Sequence, residues 1–212
     1  MAIQVKICGI TTPETLDAAI AGGASHIGLN FFPKSPRYSD FALAAGLAAR
    51  AGGAAKIVGL FVNPERGLID EALLHVKLDV VQLHGDESPA FLAQTRGKTA
   101  EVWKALPVRT SADLQAGKAY QGAADQLLYD AKPPRGAALP GGNGLRFDWR
   151  LLEGFQHPLP WILSGGLDAA NIGEAVGVTH ATFLDVSSGV ESAPGVKDVD
   201  KIAAFLKAAH SL

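Results

Sequence analysis

Short apolar runs recur along the whole chain. Each is followed by a turn rich in Gly, Pro, Asn or Asp and then by a stretch with helical periodicity. Strands that alternate with helices in this way indicate parallel strands joined by crossover helices. Eight runs have the length of buried strands: 5–10, 26–31, 56–62, 80–84, 101–106, 126–131, 160–164 and 181–187.

Helix starts are marked between these runs by a proline or an acidic residue that follows a turn. They occur at Thr12-Pro13-Glu14, Asn63-Pro64-Glu65, Glu87-Ser88-Pro89 and Leu167-Asp168. The last predicted helix, about 199–209, carries apolar residues on one face, which we expect to pack on the core. These residues are Ile202, Ala203, Phe205, Leu206 and Ala209.

Eight strand–helix units in 212 residues leave about 26 residues for each unit, close to the lower size limit of a (β/α)₈ barrel. The sequence therefore predicts an α/β protein with a single (β/α)₈ TIM barrel over residues 1–212, a parallel eight-stranded barrel surrounded by helices. An open doubly wound sheet is the alternative. The long irregular stretch 132–148 is too short for a second domain, and we interpret it as a functional loop.

Polar residues interrupt the apolar runs near the carboxyl ends of the predicted strands. Side chains alternate across a strand, and the outward faces of a barrel must be apolar to pack under helices. We therefore expect these polar side chains to point inward, at the end of the barrel where active sites form. For any one of them, a satisfied internal polar network is the alternative. The set comprises Lys6, Cys8, Gln82, His84, Asp130, Ser164, Asp185 and Ser187.

Two turns of small residues, Ser164-Gly165-Gly166 and Ser187-Ser188-Gly189, follow the seventh and eighth predicted strands. Backbone N–H groups in such turns can hold an anion without Lys or Arg, and this is the usual phosphate site of the barrel. The sequence therefore predicts a phosphate site formed by Gly165, Gly166, Ser187, Ser188 and Gly189. Ordinary turn chemistry is the alternative.

Cys8 and Asp130 end the first and sixth predicted strands. A lone cysteine is usually an inert small apolar residue, but an ammonium group such as that of Lys6 nearby would lower a thiol pKa and populate the thiolate. A carboxylic acid after an apolar strand needs a partner or a protonation role. A thiolate base facing a carboxylic acid beside a phosphate site suggests proton transfers on a sugar phosphate.

A series of motifs then resembles the phosphoribosylanthranilate isomerase family. The resemblance begins at Lys6-Ile7-Cys8-Gly9-Ile10-Thr11 and extends, in order, over nearly the whole chain. Its later blocks are Phe31-Phe32-Pro33-Lys34-Ser35-Pro36-Arg37-Tyr38, Gly59-Leu60-Phe61-Val62-Asn63, Val81-Gln82-Leu83-His84-Gly85-Asp86-Glu87, Gly141-Gly142-Asn143-Gly144, Phe147-Asp148-Trp149, Leu163-Ser164-Gly165-Gly166-Leu167 and Asp185-Val186-Ser187-Ser188-Gly189-Val190-Glu191.

The resemblance implies an isomerase of tryptophan biosynthesis. Such an enzyme converts N-(5′-phosphoribosyl)anthranilate to 1-(2-carboxyphenylamino)-1-deoxyribulose 5-phosphate by an Amadori rearrangement, without a metal or an organic cofactor. By the same resemblance Asp130 is the general acid, which must hold a proton when substrate is bound. Cys8 is the general base and Arg37 binds the anthranilate carboxylate, which a guanidinium can grip with two parallel hydrogen bonds. His84 is expected to line the site, and Asp185 is either a site carboxylate or a partner of Lys6.

Composition and charge argue against several classes of binding partner. The chain has 19 Lys and Arg against 21 Asp and Glu, which offers no basic footprint for nucleic acid or an anionic membrane. One cysteine cannot form an internal disulfide and is typical of a reducing compartment. The six His have no metal-ligand spacing. We expect a cytoplasmic protein with a small phosphoribosyl substrate, as a monomer or homodimer, with no nucleic acid, membrane or metal.

Two other functions fit the residues without the resemblance. Another ribose-phosphate isomerase or epimerase would share the barrel and the phosphate site. A catalytically silent barrel that binds a phosphate metabolite or a partner would not need Cys8 and Asp130, and both are present.

Overall fold

A computed structural model describes residues 3–99, 101–134, 136 and 139–212. Eight parallel strands close into a barrel in chain order, as predicted. The alternative open sheet is wrong because the first strand pairs with the eighth, Lys6 opposite Asp185. The strands are β1 (Gln4–Cys8), β2 (His26–Asn30), β3 (Lys56–Phe61), β4 (Val80–Leu83), β5 (Glu101–Val108), β6 (Gln126–Ala131), β7 (Trp161–Leu163) and β8 (Phe183–Val186).

Helices surround the barrel on its outer side. They are α1 (Pro13–Ala21), α2 (Phe41–Ala51), α3 (Arg66–His75), α4 (Pro89–Arg96), α5 (Ser111–Gln115), α6 (Ile172–Thr179) and α7 (Val199–His210). The crossover from β6 to β7 contains a short 3₁₀ turn, Trp149–Leu152, in place of an α-helix. No helix in the described part of the chain is long and apolar enough to cross a membrane.

Two helices start later than the sequence predicts. The expected start after Asn63 is wrong because Asn63 has φ 45° and its side-chain oxygen accepts a hydrogen bond from the Asp86 N–H, so α3 begins at Arg66. The expected start at Asp168 is wrong. The Asp168 carboxylate accepts hydrogen bonds from the N–H groups of Ala170 and Asn171 and so caps a turn, and α6 begins after that turn, at Ile172. The predicted starts of α1 and α4 are confirmed, with Thr12 and Ser88 as the capping residues.

A small hairpin follows the barrel and was not predicted. After β8 the chain makes a 3₁₀ turn, Ser188–Val190, and then β9 (Glu191–Ala193) and β10 (Val196–Lys197) pair antiparallel before α7. Strands of two or three residues are too short to show an alternating pattern. The hairpin matters because it delivers Glu191 and Lys197 to the carboxyl end of the barrel.

The barrel interior has an apolar layer below a polar layer. The apolar layer consists of Val58, Val80, Trp103, Ala105, Leu128, Ile162 and Phe183. Two residues further along three of these strands, on the same inner face, lie Gln82, Asp130 and Asp185, each at most 5% exposed. The predicted inward direction of these polar residues is therefore confirmed, and the alternation of strand side chains explains it.

Candidate active site

A cleft of about 730 Å³ opens at the carboxyl end of the barrel. Eight of the nine predicted site residues line it: Cys8, Arg37, His84, Asp130, Gly165, Gly166, Ser187 and Ser188. The ninth, Gly189, does not line it, and a β-carbon at Gly189 would collide with the Leu167 carbonyl. The topology thus brings together residues of β1 and β6 with residues that follow β2, β4, β7 and β8.

Cys8 is the last residue of β1 and is 5% exposed. Its neighbour across the β1–β2 pair is Gly28. A β-carbon at Gly28 would lie 3.0 Å from the Cys8 Sγ and 3.1 Å from the Lys6 Cε. Glycine at this position therefore leaves the space that the thiol and the lysine stem occupy.

The pKa of Cys8 shifts in the direction opposite to the sequence-based expectation. Burial raises the pKa of the Cys8 thiol, and the attraction of Lys6 offsets only part of this effect. The Asp185 carboxylate, which pairs with Lys6, raises the Cys8 pKa further. The expectation that Lys6 holds the thiol below its ordinary pKa is therefore wrong, because desolvation disfavours the thiolate more strongly.

Lys6, Asp185 and Ser164 form a buried network under the cleft. The Lys6 Nζ donates to Asp185 Oδ1 at 2.7 Å, and the Ser164 hydroxyl donates to Asp185 Oδ2 at 3.1 Å. Burial lowers the pKa of Lys6, but the Asp185 carboxylate and the Cys8 thiol outweigh it and hold that pKa above its ordinary value. Of the two roles expected for Asp185, partner of Lys6 and site carboxylate, the structure gives it the first, while it also lines the cleft.

Asp130 lies near the end of β6, the strand that pairs with β7. Its Oδ1 accepts a hydrogen bond from the Ala131 N–H at 2.8 Å, and its Oδ2 lies 3.3 Å from the His84 Nε2. The other ring nitrogen of His84, Nδ1, is 3.5 Å from the Gln82 amide nitrogen. His84, which the sequence predicts to line the site, thus lies in the cleft beside the candidate acid.

A buried ion pair outside the cleft fixes the turn that carries His84. The Lys104 ammonium group contacts the Gly85 carbonyl at 2.5 Å and the Glu87 carboxylate at 3.0 Å. Glu87 in turn accepts hydrogen bonds from the Asn63 and Gly85 N–H groups. This network was not predicted. The signal that could have indicated it is the position of Lys104 within an otherwise apolar strand.

Arg37, in the loop after β2, is 5% exposed and already has a carboxylate partner. Its Nε and Nη2 donate to the two oxygens of Glu191 at 2.7 and 2.8 Å, and Nη2 also donates to the Gly142 carbonyl at 3.1 Å. The Nε and Nη2 edge of Arg37 can form two parallel hydrogen bonds to a carboxylate, as was expected for the anthranilate carboxylate. In the structure this edge faces Glu191. Glu191 belongs to the last motif of the family resemblance, but no role for it was predicted.

The two small-residue turns have the form expected of an anion site. Gly165 and Gly166 have φ values of 89° and 66°, a backbone region that favours glycine. The N–H groups of Gly165, Gly166 and Ser188 donate no hydrogen bond to any described residue. Donors without an internal acceptor beside a cleft can bind an anion, and the binding of phosphate here stays a prediction.

The loop after β6, predicted to be functional, forms one wall of the cleft. Its described residues Leu139 to Leu145 line the cavity, and the Gly142 carbonyl is tied to Arg37. Three residues of the predicted stretch, 135, 137 and 138, lie outside the described part of the chain. Contact with both Arg37 and the cleft is consistent with the interpretation as a functional loop.

Comparisons with known proteins identify one family. The family model described as N-(5′phosphoribosyl)anthranilate (PRA) isomerase matches residues 5–208. An N-(5′-phosphoribosyl)anthranilate isomerase of Rhodospirillum centenum is 52% identical over 214 residues, which cover 100% of both chains.

Solved structures give the same result. A phosphoribosyl anthranilate isomerase from Thermotoga maritima superposes with a TM-score of 0.89 at 34% identity, over 99% of this chain and 100% of that one. A phosphoribosyl anthranilate isomerase in complex with reduced 1-(o-carboxyphenylamino)-1-deoxyribulose 5-phosphate has a TM-score of 0.86 at 33% identity, over 99% and 100% of the two chains.

Proposed function

The chain belongs to the N-(5′-phosphoribosyl)anthranilate isomerase family, and from that premise we propose how its own residues perform the reaction. The protein isomerises N-(5′-phosphoribosyl)anthranilate to 1-(2-carboxyphenylamino)-1-deoxyribulose 5-phosphate in tryptophan biosynthesis. The alternatives of a different sugar-phosphate isomerase and of a silent barrel are therefore set aside.

One observation carries the assignment of residues. Cys8 and Asp130 border the same cleft from different strands, and Arg37 and the Gly165 and Ser188 turns line it as well. A substrate with a carboxylate at one end and a phosphate at the other would then span the cleft with its ribose between thiol and carboxyl. General acid–base catalysis needs both groups within reach of the reacting ring.

In the first step Asp130 donates a proton to the furanose ring oxygen. The C1–O bond breaks, and the lone pair of the anilino nitrogen forms a C1=N iminium. His84, 3.3 Å from Asp130 Oδ2, is in position to hydrogen-bond the carboxylate that this step creates. A charge-assisted hydrogen bond of this kind stabilises the anion.

In the second step the Cys8 thiolate removes the proton from C2, which the iminium has made acidic, and the electron pair forms a C1=C2 enolamine. The enolamine then becomes the ketone by gaining a proton at C1 and losing the proton of the C2 hydroxyl. One proton is gained and one is lost, so the rearrangement balances without an external reagent. The proposed mechanism uses no metal or cofactor.

Arg37 is proposed to bind the anthranilate carboxylate. Gly165, Gly166, Ser187 and Ser188 are proposed to surround the phosphate, with Gly189 supporting their turn from below. Residues 1–212 are proposed to act as one domain, either as a monomer or as a homodimer, in the cytoplasm.

A fluorescence assay on the wild-type protein tests the function. Anthranilate, 5-phosphoribosyl pyrophosphate and the preceding transferase generate the substrate in place, and the decay of its emission is followed with and without this protein. A protein-dependent decay with formation of the ribulose product is expected, after correction for spontaneous hydrolysis to anthranilate. No acceleration by well-folded protein would overturn the function.

The Arg37→Ala variant tests the assignment of the carboxylate site in the same assay. We expect it to weaken substrate binding more than the binding of inorganic phosphate. Equal losses for the two ligands would show that Arg37 does not recognise the carboxylate.

A further inference from the structure

Glu191 is a carboxylate whose hydrogen-bonding capacity is filled by the protein. Its Oε1 accepts from the Arg37 Nε at 2.7 Å and the Lys197 Nζ at 2.6 Å. Its Oε2 accepts from the Arg37 Nη2 at 2.8 Å and the Gly195 N–H at 3.2 Å. A carboxylate 7% exposed with four donors has no direction left for a substrate. Its function is therefore exerted on the groups that it holds.

The pairing with Glu191 decides which edge of Arg37 is left for a ligand. Nε and Nη2 are occupied, whereas Nη1 donates to no described residue. A β-carbon at Gly142, which lines the cleft, would lie 2.5 Å from Nη1. The unfilled donors of the guanidinium are therefore at the cleft wall, and only this edge can receive a substrate carboxylate.

The charges of the cluster leave room for one anion. Arg37 and Lys197 are both cations, and Glu191 supplies one negative charge between them. Although burial raises the pKa of Glu191, Arg37 and Lys197 outweigh burial and lower it, so this carboxylate stays ionised. Burial lowers the pKa of Lys197, and the Glu191 carboxylate offsets part of this effect. When Lys197 is protonated, one positive charge is left over, and a buried excess charge favours a counter-ion.

Lys197 connects this cluster with the turn proposed to bind phosphate. Besides Glu191, its ammonium group donates to the Ser187 carbonyl at 3.0 Å and the Ser187 hydroxyl at 3.3 Å. The Ser187 hydroxyl in turn donates to the Cys8 carbonyl at 3.2 Å. One buried lysine from the β9–β10 hairpin thus contacts both the partner of Arg37 and the turn proposed to bind phosphate.

We infer that Glu191 and Lys197 are positioning residues for substrate recognition. Glu191 fills the Nε and Nη2 edge of Arg37 and thereby turns Nη1 to the anthranilate carboxylate. Lys197 holds Glu191 and the Ser187 turn at the spacing that the substrate requires. The inference rests on the proposed role of Arg37 and adds to it the β9–β10 hairpin as the element that sets this spacing.

The test compares Glu191→Gln with wild type in steady-state kinetics. Ribose 5-phosphate, which lacks the carboxylate, serves as a competitive inhibitor. Loss of the charge-assisted pair should raise KM for the substrate about tenfold or more, with kcat within about threefold and the ribose 5-phosphate Ki within about twofold of wild type. Lys197→Gln should raise both KM and Ki, because Lys197 also contacts the Ser187 turn.

Two further variants separate positioning from a general effect on the fold. Lys201 donates to the backbone carbonyl of Glu191 and not to its side chain, so Lys201→Gln should leave KM within about twofold. In the Arg37→Ala background, Glu191→Gln should raise KM no further, because its effect passes through Arg37.

Each outcome decides the inference. The proposed function stands if wild type isomerises the substrate and Arg37→Ala raises KM. If folded Glu191→Gln then has the wild-type KM, the positioning role of Glu191 is wrong while the proposed function is not. A fall in kcat at unchanged KM, or full additivity with Arg37→Ala, would also overturn it. If Glu191→Gln does not fold, Glu191→Asp retains the charge on a shorter stem, and a wild-type KM in that variant would overturn the inference as well.

Discussion

The Lys6 ammonium group lies 2.7 Å from the Asp185 carboxylate across the seam where β1 meets β8, and Cys8 follows two residues later on the same inner face. Asp185 therefore balances the charge that would otherwise stabilise a Cys8 thiolate. Since burial also disfavours the thiolate, the proposed base ionises at higher pH than an ordinary thiol. The pH at which the Cys8 thiol ionises is therefore a direct test of this arrangement.

The first prediction concerns the titration of that thiol. Because the chain has one cysteine, the rate of alkylation by iodoacetamide reports on Cys8 alone. The rate should rise with pH with a midpoint above about 8.5, the ordinary thiol value. Asp185→Asn removes an anion that raises the Cys8 pKa, so its midpoint should move to lower pH, whereas Asp17→Asn should leave it unchanged. An upward shift in Asp185→Asn would contradict the prediction.

Cys8→Ser tests the general base. A serine hydroxyl is a far weaker base at neutral pH, so kcat should fall by roughly 100- to 10,000-fold, the range for loss of a general base. The ribose 5-phosphate Ki and the circular dichroism spectrum should stay close to wild type, since serine has nearly the shape of cysteine. Turnover near the wild-type rate would remove Cys8 from the mechanism.

Asp130→Asn tests the general acid. The amide retains the hydrogen bond from the Ala131 N–H but has no acidic proton for the ring oxygen, so kcat should again fall by roughly 100- to 10,000-fold. Asp17, an exposed residue of α1 that pairs with Arg50, gives a matched control, and Asp17→Asn should keep full activity. Retained turnover in Asp130→Asn would require another acid.

The Lys104–Glu87 pair should contribute far more to stability than an exposed pair. Its side chains are both 2% exposed, so Lys104→Met leaves a buried carboxylate without its cation and should lower the free energy of unfolding by about 3–5 kcal/mol. Arg50→Met breaks a pair whose side chains are about half exposed and should cost less than about 1 kcal/mol. Urea unfolding of both variants measures the difference, and similar losses would be inconsistent with this account.

Acid should destabilise the protein partly through His26. Burial among Trp103 and Phe183, with help from nearby lysines, lowers the pKa of His26 to about 4. The folded state then binds fewer protons than the unfolded state, so this stabilisation is present above about pH 6.5 and is lost as the pH falls toward about 4.

Comparison of unfolding free energies at several pH values checks the role of His26. His26→Gln should reduce the loss of stability between about pH 6.5 and about pH 4, even if its packing lowers stability at every pH. His210→Gln, at an exposed position at the end of α7, should keep the wild-type slope. Identical slopes in wild type and His26→Gln would show that His26 does not take part.

The sequence by itself determined the architecture and the face of each strand that carries the candidate site residues. Alternation along a strand has a fixed period of two, so apolar Val81 and Tyr129 on the outward face predict that Gln82 and Asp130 lie on the inner face. Parallel strands in a barrel bring their carboxyl ends to one mouth. Cys8, His84 and Asp130 could therefore be assigned to a common site from local pattern and motif alone.

The tertiary structure decided the partner of Arg37 and chose between the two roles expected for Asp185. Arg37 pairs with Glu191, 154 positions later in the chain, and Lys6 pairs with Asp185, 179 positions later. No local period links such positions, since their distance depends on barrel closure and on the path of the β9–β10 hairpin. The direction of the Cys8 pKa shift depended on the same facts, because desolvation and the charge of Asp185 together outweigh the neighbouring lysine.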